Sequence, residues 1–222
     1  MGERKMKFKL FEKLASLEGL DLVMLIIAAA LFVVILFFAV KYRQNLKNRS
    51  SKINTTRALV YGALCLTLSF VLSYIKLFSM PLGGSITLAS MLPLMMYASA
   101  FGPFYGFAAA FAYALLQIIQ GAWIVHPVQF ILDYFVAFTC LGLPSLFRDK
   151  LTLGVIVAGF SRMLVSTVSG AIFFADSGLD YGFANPWTYS FLYNMLTIGV
   201  DTLICAGISL IPAIKKLRKS MC

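Results

Sequence analysis

Phe130-Ile131-Leu132-Asp133-Tyr134-Phe135-Val136 sets a single carboxylate inside an apolar run. That run is one part of a stretch, Arg57 to Pro212, that reads almost continuously as membrane-type sequence. A charge in hydrocarbon costs several kcal/mol, roughly 3 on insertion scales. An intramembrane carboxylate therefore faces a protein interior or a wet cavity, and it marks a candidate functional site. Asp133 points to a small cationic or amine-bearing ligand held inside a helical bundle.

Composition agrees with a membrane protein. Of 222 residues, 60% are hydrophobic and 13% charged, with a mean hydropathy of +0.87. Soluble domains carry about a quarter charged residues. The net charge of +10 comes from 19 Lys and Arg against 9 Asp and Glu. The excess falls in three clusters, Arg4 to Lys13, Lys41 to Arg57 and Lys215 to Lys219. These read as flanks that orient helices against anionic lipid, and not as a nucleic-acid surface.

The chain divides around that membrane stretch. Residues 1–20 form a basic amphipathic segment in which Met6, Leu10, Leu14 and Leu17 share a face suited to the membrane surface. Residues 22–40 are 19 apolar residues without a charge, long enough to span. They are expected as an additional, retained helix over 21–41, because a basic segment and no small-residue cleavage site follows. Residues 42–56 are a basic linker. From 57 to 222 six apolar segments follow, roughly 57–77, 86–101, 103–122, 127–147, 151–175 and 187–213. Pro81-Leu82-Gly83-Gly84, Gly102-Pro103, Arg148-Asp149-Lys150 and the polar loop 176–186 separate them. Strands are not expected, since period-2 alternation is absent and the runs are too long for barrel strands. The fold class is thus an all-α integral membrane bundle of six helices plus one N-terminal hydrophobic helix.

Lys and Arg placement orients the six helices. The 41–57 linker, the Arg148/Lys150 loop and the Lys215–Lys219 tail share the cytoplasmic side, with the C-terminus inside. The helix at 22–40 breaks this pattern, and its orientation stays open. Ala58-x-x-x-Gly62 in the first core helix is a small-residue pair that permits close approach, within the bundle or against a partner.

Around Asp133 the sequence gathers recognition chemistry. Trp123, His126, Gln129 and Tyr134 lie within eleven residues of it. Gln129 and His126 stand at i−4 and i−7, on one face if the helix extends that far. Aromatics around one anionic group suit a heteroaromatic cation. An ion pair of Asp133 with Arg162, itself in an apolar run, is an equal alternative, as is a carboxyl carried neutral. Asn185 and Pro186 read as the cap and first residue of the last helix. Asn194 is a buried polar group that needs a partner, and Asp201 stands seven residues beyond it on the same face.

Other chemistries are disfavoured. Cys65, Cys140, Cys205 and Cys222 are widely spaced, with no CxxC pair, and read as core residues or free thiols. His126 is the single histidine and lacks companion ligands for a metal. No base stands near a nucleophile in a recognisable spacing, so no catalytic residues and no cofactor are assigned. No GxxxxGK[ST] motif is present, so a partner must supply any ATPase.

Four separated motifs in register carry a family resemblance. They are Ser79-Met80-Pro81-Leu82-Gly83-Gly84-Ser85, His126-Pro127-Val128-Gln129-Phe130-Ile131-Leu132-Asp133-Tyr134, Ser169-Gly170-Ala171-Ile172-Phe173-Phe174 and Trp187-Thr188-Tyr189-Ser190-Phe191-Leu192-Tyr193-Asn194. Over about residues 55–215 the chain resembles the thiamine-specific S component, the substrate-binding membrane subunit of energy-coupling factor transporters. The resemblance implies capture of thiamine from outside the plasma membrane. It also implies association with a transmembrane coupling protein and two ATPase subunits, and toppling to release the ligand inward.

Carried over by position, Asp133 meets the aminopyrimidine, and Tyr134, Tyr189 and Asn194 match ligand-contacting positions. Gly170 lies beside the pocket, and Ala58 and Gly62 match a docking motif for the coupling protein. Ser166 and Phe174 stand where some members have His and Trp flanking the thiazolium, and Asp133 where some have Glu. A hydroxymethylpyrimidine precursor would keep the Asp133 and Asn194 contacts without needing a thiazolium face. An ion-coupled carrier using Asp133 and Asp201, a membrane enzyme and a scaffold are the readings from other classes.

Overall fold

The computed structural model describes residues 54–80, 83–175, 182–183 and 185–221. The amphipathic segment 1–20, the hydrophobic helix 21–41 and nearly all of the linker 42–56 lie outside the described residues.

Helix α1, Thr55–Tyr74, opens on Asn54, whose side chain accepts a hydrogen bond from the Arg57 amide. Its buried residues, Ala58, Gly62, Cys65, Ser69 and Ser73, recur every three or four positions and are all small. The large apolar residues Leu59, Val60, Leu64, Leu68 and Val71 point outward, so that Leu64 is 60% exposed beside Cys65 at 6%. This distribution suits lipid, where small residues let backbones approach and large apolar ones cost nothing outside.

A two-stranded antiparallel hairpin follows, β1 Lys76–Ser79 with β2 Ser85–Thr87. It corrects the expectation of no strands. Strands of four and three residues are too short to leave a period-2 signature, and their register is irregular between Lys76 and Phe78. The hairpin takes the end of the segment expected as helix 57–77 and the start of that expected as 86–101.

Helix α2 is accordingly only Leu92–Phe101, 10 residues, about 15 Å at helical rise and well short of a bilayer core. All ten of its residues are buried, so α2 is the hub of the bundle. Gly102, at φ +88°, makes the sharp reversal into α3, Pro103–Gly121. Left-handed backbone favours glycine, and Pro103 pre-sets the first turn of the next helix.

Helices α4 (Pro127–Leu146), α5 (Leu151–Phe173) and α6 (Pro186–Leu210) complete the bundle around α2. Among the described residues five helices, α1 and α3 to α6, are long and apolar enough to cross a membrane. Their limits fall within a few residues of the segments read from sequence. Asn185 caps α6, accepting from the Trp187 amide at 2.8 Å, with Pro186 at the first position. A basic amphipathic helix α7, Pro212–Met221, ends the described chain with Met221 buried.

The expected small-residue docking pair faces inward. Tyr97 of α2 donates from Oη to the Ala58 carbonyl at 3.0 Å, and a Cβ on Gly62 would stand 2.9 Å from the same hydroxyl. Ala58 and Gly62 seat Tyr97 within the bundle and present no outer face.

Candidate functional site

Asp133 sits on a local break in α4. Residues Ile131–Val136 form a π-helical turn between α-helical residues. A second π-turn, Met195–Gly199, follows Asn194 in α6. Such turns widen the helix by a residue and recur at functional sites. Here both flank one cavity of about 500 Å³, within the range of small-molecule sites.

The Asp133 carboxyl is held by its neighbours. Its Oδ2 accepts from Gln129 Nε2 at 2.8 Å and from Ser169 Oγ of α5 at 3.0 Å, and Ser166 lies beside the same group. A carboxylate offers about four acceptor positions, so capacity remains for donors on a ligand. Opposite it, Asn194 donates from Nδ2 to the Ser190 carbonyl at 2.9 Å. Asn194 lines the same cavity as Asp133. Gly170 keeps this corner open, because a Cβ there would run into Ser190 Oγ.

Aromatic rings form the walls. Trp123, Tyr134, Phe174, Tyr189 and Tyr193 all line the cavity. Tyr134 Oη accepts from the Trp123 amide at 2.8 Å and so pins the 122–126 loop to α4. Tyr193 Oη accepts from the Gly84 amide at 2.8 Å, which ties the hairpin to α6 over the site.

Nine of the ten ligand-binding residues read from sequence line this one cavity: Trp123, Gln129, Asp133, Tyr134, Ser166, Gly170, Phe174, Tyr189 and Asn194. Gln129 does so with its amide already committed. It is 2% exposed, donates to the Trp123 carbonyl as well as to Asp133, and accepts from the Val125 amide. His126 is not in the lining. It is extended (φ −150°, ψ 144°) and caps α4, with Nδ1 accepting from the Val128 amide. The helix does not reach back to it, so the i−7 relation to Asp133 fails. Its ring stacks on Phe173 at 5.1 Å.

The alternative ion pair of Asp133 with Arg162 is not formed. Arg162 donates to Met91 Sδ at 2.6 Å and lies 4.1 Å over the Phe138 ring. Sequence reading missed the contributions of Lys76, Thr87, Ser90, Tyr113, Gln117 and Tyr193 to the lining. Most of these come from the hairpin and from α3, which no local motif marks. Among the described residues no group of His, Cys, Asp and Glu could hold a metal ion, and Cys65, Cys140 and Cys205 are buried free thiols.

This geometry has known relatives. Residues 59–221 match the family described as "Thiamine transporter protein". The chain belongs to the thiamine transporter protein family. Thiamine transporter ThiT of Bacillus subtilis (strain 168) is 32% identical over 148 residues, covering 58% of this chain and 74% of that protein. The solved structure of ThiT from Listeria monocytogenes matches at a TM-score of 0.58 and 22% identity, over 73% of this chain and 93% of that one. This second likeness bears on the fold alone.

As a member of the thiamine transporter family, the chain is a multi-pass membrane protein that serves thiamine transport, and not an enzyme.

Proposed function

We propose that this chain is the S component of an energy-coupling factor importer, binding thiamine with high affinity in the cavity that Asp133 lines. The observation that carries the reading is the Asp133 carboxyl, oriented by Gln129 and Ser169 inside a bundle walled by aromatic rings. Thiamine joins an aminopyrimidine, whose amino group carries two N–H donors, to a cationic thiazolium. The amino group donates to Asp133 and to Asn194 Oδ1. Tyr134, Tyr189, Trp123 and Phe174 pack on the two rings, where an aromatic face also attracts the cation. Ser166 and Gly170 complete the wall.

Energy comes from elsewhere, since the sequence holds no nucleotide-binding loop. A transmembrane coupling protein and two ATPase subunits supply it. With Ala58 and Gly62 buried against Tyr97, the coupling protein meets the apolar outer faces of the bundle. The basic helix α7 lies at the cytoplasmic surface of the plasma membrane, as positive charge near membrane helices dictates. Thiamine is cargo, and no bound cofactor enters the scheme.

Calorimetric titration of the purified protein in detergent with thiamine and with hydroxymethylpyrimidine tests the reading. Nanomolar thiamine binding supports it. Tight binding of the pyrimidine alone would move the cargo to a precursor, and binding of neither would remove the assignment.

A further inference from the structure

Helix α7, Pro212–Met221, has three sides of different chemistry. At 3.6 residues per turn, Lys215, Lys216 and Lys219 fall within about 100° of one another, and all three are exposed. On the opposite side α7 packs on α2, and there Met221 is only 2% exposed. Leu217 lies between the two, apolar and 49% exposed. The helix leaves α6 at an elbow. Ile211 is extended (φ −60°, ψ 127°) and nearly half exposed, and Pro212 cannot continue the α6 ladder. So α7 begins where a membrane-spanning helix has just ended.

This end of the bundle is basic beyond α7. Arg148, in the loop between α4 and α5, reaches the end of α2, where a Cβ on Gly102 would stand 3.0 Å from its guanidinium. Lys150 in the same loop and Arg57 at the start of α1 are exposed. Against all of these, the described residues at this end set Asp149 alone. No residue of α7 lines the cavity, so its lysines serve something other than the cargo site.

We propose that α7 is a binding face for anionic phospholipid headgroups, with Lys215, Lys216 and Lys219 on the phosphates. The proposal is independent of the cargo. A helix of this kind lies in the membrane surface, its apolar side set into the boundary between headgroups and acyl chains. Leu217 and Ile211 supply that side, while Met221 anchors the helix to the bundle. The lysines then stand at headgroup level, their stems along the apolar boundary and their ammonium groups on the phosphates. Each lysine near an anionic surface is worth roughly a fivefold gain in affinity. An acidic protein surface would match the lysines but leave Leu217 and Ile211 in water. The bilayer surface matches both, and it is contiguous with the end of α6.

The test follows thermal unfolding of the full-length chain in detergent as phosphatidylglycerol or phosphatidylcholine is added. Wild type is compared with the triple variant Lys215→Gln, Lys216→Gln, Lys219→Gln and with the same three lysines changed to Arg. A lipid that binds the folded chain raises its melting temperature as the site fills. In wild type, phosphatidylglycerol should act at a concentration lower than phosphatidylcholine by on the order of tenfold or more. The glutamine variant should lose most of that preference and the arginine variant keep it, with melting in lipid-free detergent unchanged in both. An equal response of wild type to the two lipids overturns the proposal and leaves the lysines to an acidic protein surface. A preference that survives intact in the glutamine variant also overturns it, since the grip then lies in other basic segments. So does earlier unfolding of that variant in lipid-free detergent, which would make the lysines part of the bundle's own packing. Thiamine titration on the same preparations separates the two readings: binding absent from wild type would remove the cargo assignment and leave the lipid face standing.

Discussion

Gln129 Nε2 donates at 2.8 Å to Asp133 Oδ2 and at 3.1 Å to the Trp123 carbonyl, so one buried amide fixes both the acidic anchor and an aromatic wall. Replacing Gln129 by Met keeps the volume and removes three hydrogen bonds. Thiamine affinity should fall about tenfold, because a network of buried polar groups loses about 1–2 kcal/mol when one member is deleted. Titration of the variant checks this, and an unchanged affinity would mean that Asp133 needs no orienting partner.

Gly170 faces Ser190, and a Cβ added there collides with Ser190 Oγ while standing 3.7 Å from Asn194 Nδ2. Gly170→Ala should therefore push α5 from α6 where Asn194 enters the cavity. Overpacking of this kind costs about 1–3 kcal/mol. We expect a lower melting temperature in detergent together with weaker thiamine binding. A fall in stability with no change in binding would separate Asn194 from the ligand.

Tyr97 offers the contrasting case of a residue that holds the bundle without touching the cavity. Its hydroxyl donates to the Ala58 carbonyl at 3.0 Å beside Gly62. Tyr97→Phe should cost about 1 kcal/mol of stability, the usual net value of one buried hydrogen bond. Thiamine affinity should be unchanged. Thermal unfolding and titration on the same preparation read the two effects separately.

These contrasts show which features local sequence exposes. Apolar runs and their Gly, Pro and charged breaks placed α3 to α6 within a few residues, and the lone Asp133 marked the cavity. Gln129 at i−4 was found on the right face because four residues of helix do separate it from Asp133. His126 was not, because the helix starts at Pro127 and leaves it as a cap. The two π-turns, Ile131–Val136 and Met195–Gly199, carry no composition signal. They are set by how α4 and α6 pack, and packing is long-range. The hairpin of three- and four-residue strands was hidden for the opposite reason, since its signal is shorter than any periodicity. The small pair Ala58 and Gly62 was visible as a close-packing site, but what it packs against, Tyr97, lies 35 residues or more away.

The most direct test of the central claim is thiamine titration of wild type beside Asp133→Ala. A charged hydrogen-bond partner lost from a secluded site costs on the order of 3 kcal/mol or more, which is upwards of a hundredfold in affinity. The account predicts tight binding to wild type and a loss of at least that size in the variant, with the variant still monodisperse in detergent. Thiamine binding of equal strength in both proteins would contradict it.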